Sequence, residues 1–320
     1  MLNLTNLDLR GNRLTSLPAE IGRLKNLKNL YLNGNPITEL PLEIQELTNL
    51  ENFDMRHLPF KPSKIVLRCK NIDGKETIFE VDSDITSLDL SEKQLMSIPT
   101  EIGQLTNLRE LNLAYNQLTC LPKEIQHLTN LILLDLWGNH FTNLPIEICK
   151  LKNLRELFLD SNQIKSLPLE IGQLTNLVWL NSGGNQITTL PNEIGLLSNL
   201  EKLVLVGNQI TSLPKEIRLL TNLKWLDLGH NKLRYLPIEI WQLTNLGWID
   251  LYNNYLTYLP KDIGQLTNLT WLNLGKNQFS SLPLEIRQLT SLKTLILQDN
   301  QVTNEIKVIT QLLLPNCKIG

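Results

Sequence analysis

Trp179, Trp225, Trp248 and Trp271 stand at multiples of 23 residues from one another. The position they share reads, along the chain, Asn6, Asn29, Asn52, Ser87, Glu110, Leu133, Glu156, Trp179, Lys202, Trp225, Trp248, Trp271 and Thr294. Indole rings are not general acids, nucleophiles or metal ligands. Their chemistry is contact: each buries about 150–250 Å² when covered, and Trp and Tyr are enriched where binding energy concentrates. Soluble surfaces do not collect large apolar residues in one place without a reason. If the shared position faces solvent, it is a candidate recognition column. Trp137, Phe158, Val204, Val206 and Tyr252 extend it at neighbouring positions, with the small Gly183, Gly229 and Gly275 beside them. The bland counterpart is that the tryptophans stack on one another across adjacent strands and only stabilise a sheet.

Titratable residues offer less. Two positions on, Asp8, Asp54, Asp89, Asp135, Asp227 and Asp250 alternate with Asn112, Asn181 and Asn273. Paired carboxylates can do acid–base work, but recurrence with Asn at one position of every unit points to a solvated structural role. They also come one per unit, without a loop to wrap a calcium ion. Asp227 and Asp250, beside the tryptophans, are placed to select a basic group on a partner. His230 borders the same patch and is placed for polar contacts. His57, His127 and His140 stand alone, and no Ser or Cys joins a histidine as nucleophile and base. Cys69, Cys120, Cys149 and Cys317 have neither zinc-site spacing nor the clustering of a disulfide framework. No metal and no cofactor is expected, and no catalytic residue is assigned.

One repeated phrase positions all of these residues. Leu105 to His127 reads LTNLRELNLAYNQLTCLPKEIQH, and copies open at Leu128, Leu151, Leu174, Leu197, Leu220, Leu243, Leu266 and Leu289. Asn116 to Asn300 recur every 23 residues, as do Asn12 and Asn35 upstream. Within a unit, Leu111 and Leu113 point one way and Asn112 and Ala114 the other, as a strand demands. Leu118, Leu121, Ile125 and Leu128 return the chain along the far side, where Pro122 suits the first turn of a short helix or 3-10 segment. One unit cannot bury its leucines alone. Stacked units can, with parallel strands about 4.8 Å apart. The recurring Asn, two donors and an acceptor, is then a structural residue that satisfies turn backbone in neighbouring coils.

Units such as LTNLKWLDLGHNKLRYLPIEIWQ (220–242) closely resemble the intracellular type of leucine-rich repeat, found in bacterial repeat proteins, plant Ras-group proteins and animal Ras-scaffold proteins. The resemblance implies an α/β fold, a right-handed β/α solenoid or horseshoe. Its concave sheet is parallel, its convex segments short helical or 3-10, and its concave face binds proteins. It carries no catalytic residues to this chain. Related bacterial arrays are fused to GTPase or ubiquitin-ligase domains, but no G-x-x-x-x-G-K-[ST] loop occurs here.

The units are not uniform. Residues 1–58 hold N-terminal repeats: Leu4, Leu7, Leu9 and Asn12; then Leu27 to Asn35; then a third in which Leu50, Phe53 and Met55 keep the apolar positions but Leu58 replaces Asn. No capping element precedes the first unit, so a truncated start or an edge covered by something else is expected. That edge is also a candidate surface for oligomerisation. The next unit, Ile85-Leu88-Leu90, carries Lys93 at the Asn position, 35 residues beyond Leu58 instead of 23. Residues 59–84 are therefore an irregular insert. Its Asp73-Gly74 pair between two β-rich runs predicts a β-hairpin, either an inserted or capping hairpin or a binding protrusion. The main array spans 85–303. Within it Ser182 replaces a core leucine, as a packing defect or a dent in the sheet face. Over 304–320, Ile306, Ile309 and Leu313 take helical spacing, Asn304 is the candidate N-cap, and Pro315 stops the helix. This reads as a capping helix and tail.

Bulk properties bound the rest. The 320 residues are 42% apolar and 19% charged, with net charge -2. That lacks the basic excess of a nucleic-acid partner, and no apolar run approaches the ~18–20 residues needed to cross a bilayer. Scattered cysteines suit a reducing compartment, and the first residues already lie inside a repeat, so a cytoplasmic location is expected unless a leader has been lost. Together these features predict a non-enzymatic solenoid that binds an unidentified protein on its concave face, with no nucleic acid and no membrane. The alternative is a glycan or small-ligand recognition module using the same aromatics.

Overall fold

The computed structural model describes residues 3–38, 40–54 and 64–320. Met55, His57, Leu58 and the first residues of the insert lie outside them. The chain divides into two compact units, Met1–Ser63 and Lys64–Gly320.

In the first unit, β1 (Asn6–Asp8), β2 (Asn29–Tyr31) and β3 (Asn52–Asp54) pair in parallel, Asn6 opposite Asn29 and Asn29 opposite Asn52. The register equals the sequence period because each strand presents the same leucines to one side. Leu27, Leu30, Leu32 and Ile37 are fully buried there.

The second unit opens with a hairpin at the Asp73-Gly74 turn. β4 (Lys64–Asn71) and β5 (Glu76–Asp82) are antiparallel, and β4 also pairs with β7 (Leu95–Ser97). Alternation along β4 buries Ile65, Leu67 and Cys69 in the same core as the following repeats, with Phe79 and Val81 packed against it. The hairpin thus covers the leucines of the first coil, as a cap does, and forms one unit with the array.

A parallel sheet of eleven strands comes next. It runs from β6 (Ser87–Asp89) through β8 (Glu110–Asn112), β9 (Leu133–Asp135), β10 (Glu156–Phe158), β11 (Trp179–Asn181), β12 (Lys202–Val204), β13 (Trp225–Asp227), β14 (Trp248–Asp250), β15 (Trp271–Asn273) and β16 (Thr294–Ile296) to β17 (Lys318–Ile319). Each coil returns through a short 3-10 turn. Except at Ile148–Lys150, which follows Glu147, a proline stands just before each turn in extended conformation, as Pro122 does at φ -64 and ψ 148, and the Pro122 carbonyl accepts the Ile125 N–H at 3.1 Å.

The asparagine ladder is as the residue inventory requires. Asn208 Nδ2 donates to the carbonyls of Ser182 (2.9 Å) and Leu205 (3.0 Å), while its Oδ1 accepts the Ile187 N–H at 2.9 Å. Buried turn backbone is therefore satisfied coil by coil. Ser182 is fully buried in a leucine position and its hydroxyl has no partner, so it is a packing substitution.

The C-terminal helix α1 spans Asn304–Leu313. Two expectations are corrected here. Thr303, not Asn304, is the N-cap, its hydroxyl accepting the Ile306 N–H at 3.4 Å. Ile309 is exposed, and the inward arc is buried Thr310 with half-buried Ile306 and Leu313; the Thr310 hydroxyl is satisfied there by donating to the Ile306 carbonyl at 2.7 Å.

Candidate functional site: an aromatic face on the parallel sheet

Outward side chains of the eleven-stranded sheet form three columns: the first strand residue, the third, and the residue two further on. Parallel register sets Trp225, Trp248 and Trp271 side by side in the first column. Their rings stack with centroids 3.8 Å and 4.3 Å apart and planes inclined by 14° and 2°. Strand spacing of about 4.8 Å is close to ring stacking distance, so the backbone itself builds the pile. Inner ring faces are covered by neighbours, as the sheet-stabilising alternative requires. The indole edges still point outward, and Trp225, 38% exposed, has no ring or cation on its other face among the described residues.

Trp179 does not join this stack. Lys202 occupies the column between Trp179 and Trp225, and its Nζ lies 4.2 Å over the Trp179 ring. Phe158 meets the same ring edge-on at 4.9 Å and 86°. Trp137 is paired with Tyr115 at 4.9 Å, well down the sheet. The expected single stripe is therefore divided into separate clusters. Half-buried Val204 and Val206 lie in the Lys202 coil between them, Val206 beside Gly183.

In the second column the structural role is visible. Asp227 Oδ1 accepts the Gly229 N–H at 3.0 Å and Asp250 Oδ1 the Tyr252 N–H at 2.7 Å; Asn181 and Asn273 do the same for Gly183 and Gly275. "Solvated" needs correction, since these carboxylates are half-buried. Desolvation pushes Asp227 up to about 6, with the charge of Asp250 adding to it, and desolvation also raises Asp250. A Cβ on Gly229 would stand 3.3 Å from Asp227 Oδ1 and 3.5 Å from Asp250 Oδ1. Only glycine leaves that space between the two acids open. Tyr252 lies across Gly275 and meets His230 at 5.1 Å, while Asn253 Nδ2 is 2.8 Å from His230 Nδ1. His230 holds a left-handed φ of 53°, the turn conformation that precedes each ladder asparagine. Asp160, in the third column, belongs with these acids and is missed when only the second column is read. Burial pushes it up to about 6 as well.

The repeat pattern, the stacked coils and the comparisons agree. A leucine-rich repeat region model matches residues 133–208, a leucine rich repeat model matches 83–141, 198–256 and 244–302, and a two-copy model matches 2–43. The chain belongs to the leucine-rich repeat family. Among solved structures it is similar to the leucine-rich repeat protein LIC12759 of Leptospira interrogans, at 34% identity over 100% of this chain and 96% of that one, TM-score 0.52. An internalin (inlF) of Listeria monocytogenes aligns over 99% of this chain and 86% of its own, at 23% identity and TM-score 0.59. The ectodomain of the Arabidopsis thaliana receptor kinase GASSHO1/SCHENGEN3, solved with CASPARIAN STRIP INTEGRITY FACTOR 2, aligns over 93% of this chain and 38% of its own, at 25% identity and TM-score 0.53. A search of curated proteins returns no match.

Other surfaces of this leucine-rich repeat protein are less suited to recognition or were not foreseen. A polar groove of about 610 Å³ runs along the flank where the strands begin, between Arg109, Arg155 and a second amide ladder. In that ladder Asn130, Asn153 and Asn176 donate to the carbonyls of Thr106, Thr129 and Lys152 at 2.8–2.9 Å. The asparagine of the L-x-N-L phrase that opens nearly every unit was the available signal. Tyr235, Tyr255 and Tyr258 are exposed elsewhere on the coils and also went unread. Trp241 is fully buried among the 3-10 turns, at the place where Gly172, Gly195 and Gly264 sit in other coils. Burial pushes the Cys69 thiol up to about 11 and Cys149 to about 12, which makes them poor nucleophiles. Among the described residues no helix is long and apolar enough to cross a membrane.

Proposed function

We propose that this chain is a non-catalytic protein-binding array whose partner seats on the open sheet face around Trp225, Trp248 and Trp271. The observation that carries the reading is the stack itself. Three indoles are fixed in place before any partner arrives, so little side-chain entropy is lost on binding, and they present their edges and the free Trp225 face to solvent. Phe158, Trp179 and Trp137 form the secondary contacts, with Val204 and Val206 between. The receptor ectodomain it is similar to was solved in complex with CASPARIAN STRIP INTEGRITY FACTOR 2, which supports a binding role for such an array. Sugar recognition is less well served, because pyranose rings bind to aromatic faces and the stack closes all but its ends.

The test is retention of a partner from lysate by wild type and by a Trp225→Ser/Trp248→Ser variant of matched circular dichroism. A protein kept by the first and lost by the folded second is the expected result. Equal retention by both sinks the aromatic face as the site. Displacement by soluble sugar instead of protein competitor would favour the glycan reading.

A further inference from the structure

The sheet face carries charge as well as aromatic surface, and the charge says what kind of partner would suit it, provided that the aromatic face is the binding surface. From the Leu133 coil to the Thr294 coil, the outward strand positions hold Asp135, Glu156, Asp160, Asp227 and Asp250 against one cation, Lys202. The chain as a whole is close to neutral at -2. This stretch of the face is thus net acidic on a nearly neutral chain, while on the flank Arg109 and Arg155 line the polar groove and Lys224 pairs with Glu201 at 2.9 Å. Lys202 is itself engaged over the Trp179 ring. Among the described residues no Lys, Arg or His makes an ion pair with Asp135, Asp160, Asp227 or Asp250.

We propose that the occupant of the Trp225–Trp248–Trp271 face is a basic polypeptide segment, one of whose lysine or arginine side chains lies across Gly229 between Asp227 and Asp250. The geometry supplies each part of that site. Gly229 puts no side chain against the two Oδ1 atoms, which flank the place its Cβ would take at 3.3 Å and 3.5 Å, so a cation can approach both from above it. Those oxygens each accept one backbone N–H and keep a second lone pair, while Asp227 Oδ2 accepts no hydrogen bond from the described residues. Asp250 Oδ2 takes Asn273 Nδ2 at 3.2 Å and so is held in place. Trp225 and Trp248 stand in the next column, on the other side of Asp227 and Asp250 from Gly229, where the rest of the segment would pack, and the Trp225 face not covered by Trp248 suits a second cationic side chain. His230 and Tyr252 close the far side against each other. Half-buried carboxylates without an ion-pair partner carry an unmet desolvation cost and gain when a cation is delivered. A phosphate-bearing partner meets repulsion here.

Random peptides displayed on phage, selected on the whole chain, provide the test. Peptides that require the aromatic face are first identified as those lost on the Trp225→Ser/Trp248→Ser variant. These are expected to be enriched in Lys and Arg, and to bind Asp227→Asn/Asp250→Asn at least about tenfold more weakly. That variant keeps the fold, because Asn already accepts the same backbone N–H at Asn181 and Asn273. Tryptophan-dependent peptides that lack basic residues, or that bind the Asn variant equally well, overturn the cationic occupant while leaving the aromatic face standing. If no selected peptide depends on the tryptophans, the aromatic face falls and the cationic occupant with it.

Discussion

Trp179 and Trp225 occupy the same column of the same sheet, two coils apart, and end in opposite circumstances. Around Trp179 the chain supplies its own partners: Phe158 at the edge and the Lys202 ammonium on the face. Among the described residues Trp225 has one ring neighbour, Trp248, and its other face is open. In the next column beside it stand Asp227 and Asp250, which make no ion pair among the described residues, whereas Lys202 stands beside Val204 and Val206. Residue type therefore does not decide whether an aromatic on a repeat face is finished or available. The residue one coil away decides it, through a register that brings each side chain against its 23-residue neighbour.

The floors beneath the two clusters differ too, and this gives the largest expected effect. Under the open stack lie Leu228, Leu251 and Leu274, fully buried; under Trp179 lies Ser182 with an unpartnered hydroxyl. Ser182→Leu restores the repeat leucine and removes the buried polar atom. It should stabilise the chain by about 2 kcal/mol, read as a higher denaturant midpoint with slower amide exchange confined to the coils around it. A loss of stability would mean that Leu159 and Leu205 have closed over the small residue. The floors would then be equally packed and that part of the contrast void.

Much of the fold was legible because the period of 23 fixes three things at once: the strand, the buried leucines and the ladder asparagine. The hairpin was legible from Asp73-Gly74. What the pattern could not carry was side-chain direction. Whether Lys202 leans on Trp179 or on Trp225 depends on rotamers, which a column of letters does not contain. Stacking of Trp225, Trp248 and Trp271 was weighed only as the bland alternative to binding, yet the stacked pile also leaves edges free for contact. Asp160 was passed over because the aspartate consensus sits one column away. At the last helix, Thr303 and Asn304 are both good N-caps, and only the Thr303 hydroxyl geometry separates them.

The acids beside the open stack give the second effect. Asp227 moves from 3.8 to about 6 on folding, because burial disfavours its charge. A raised carboxylate is favourable to the folded state only while protonated. Its contribution is complete below the unfolded value and is lost as pH climbs through about 6, leaving a deficit at neutral pH. For a half-exposed group, solvent screening reduces that deficit to about 1 kcal/mol. Asp227→Asn should thus gain about 1 kcal/mol at neutral pH and nothing in acid, measured as stability against pH for both chains. Equal profiles would show that the carboxylate is solvated after all and that the open cluster stores no unmet charge.

The smallest effect bears most directly on the contrast. Lys202→Ala removes the cation from the Trp179 face, and at an exposed site that contact is worth about 0.5 kcal/mol. Stability will barely register it. The Trp179 indole N–H, buried and without a partner, should respond clearly by a shifted nuclear magnetic resonance line. The exciton signal of the Trp225–Trp248–Trp271 stack in circular dichroism should stay as it is, since Lys202 makes no ring contact there. A change in that signal would mean that Lys202 also screens the open face. The boundary between a finished cluster and an available one would then lie one coil further along the sheet, with Trp225 on the finished side.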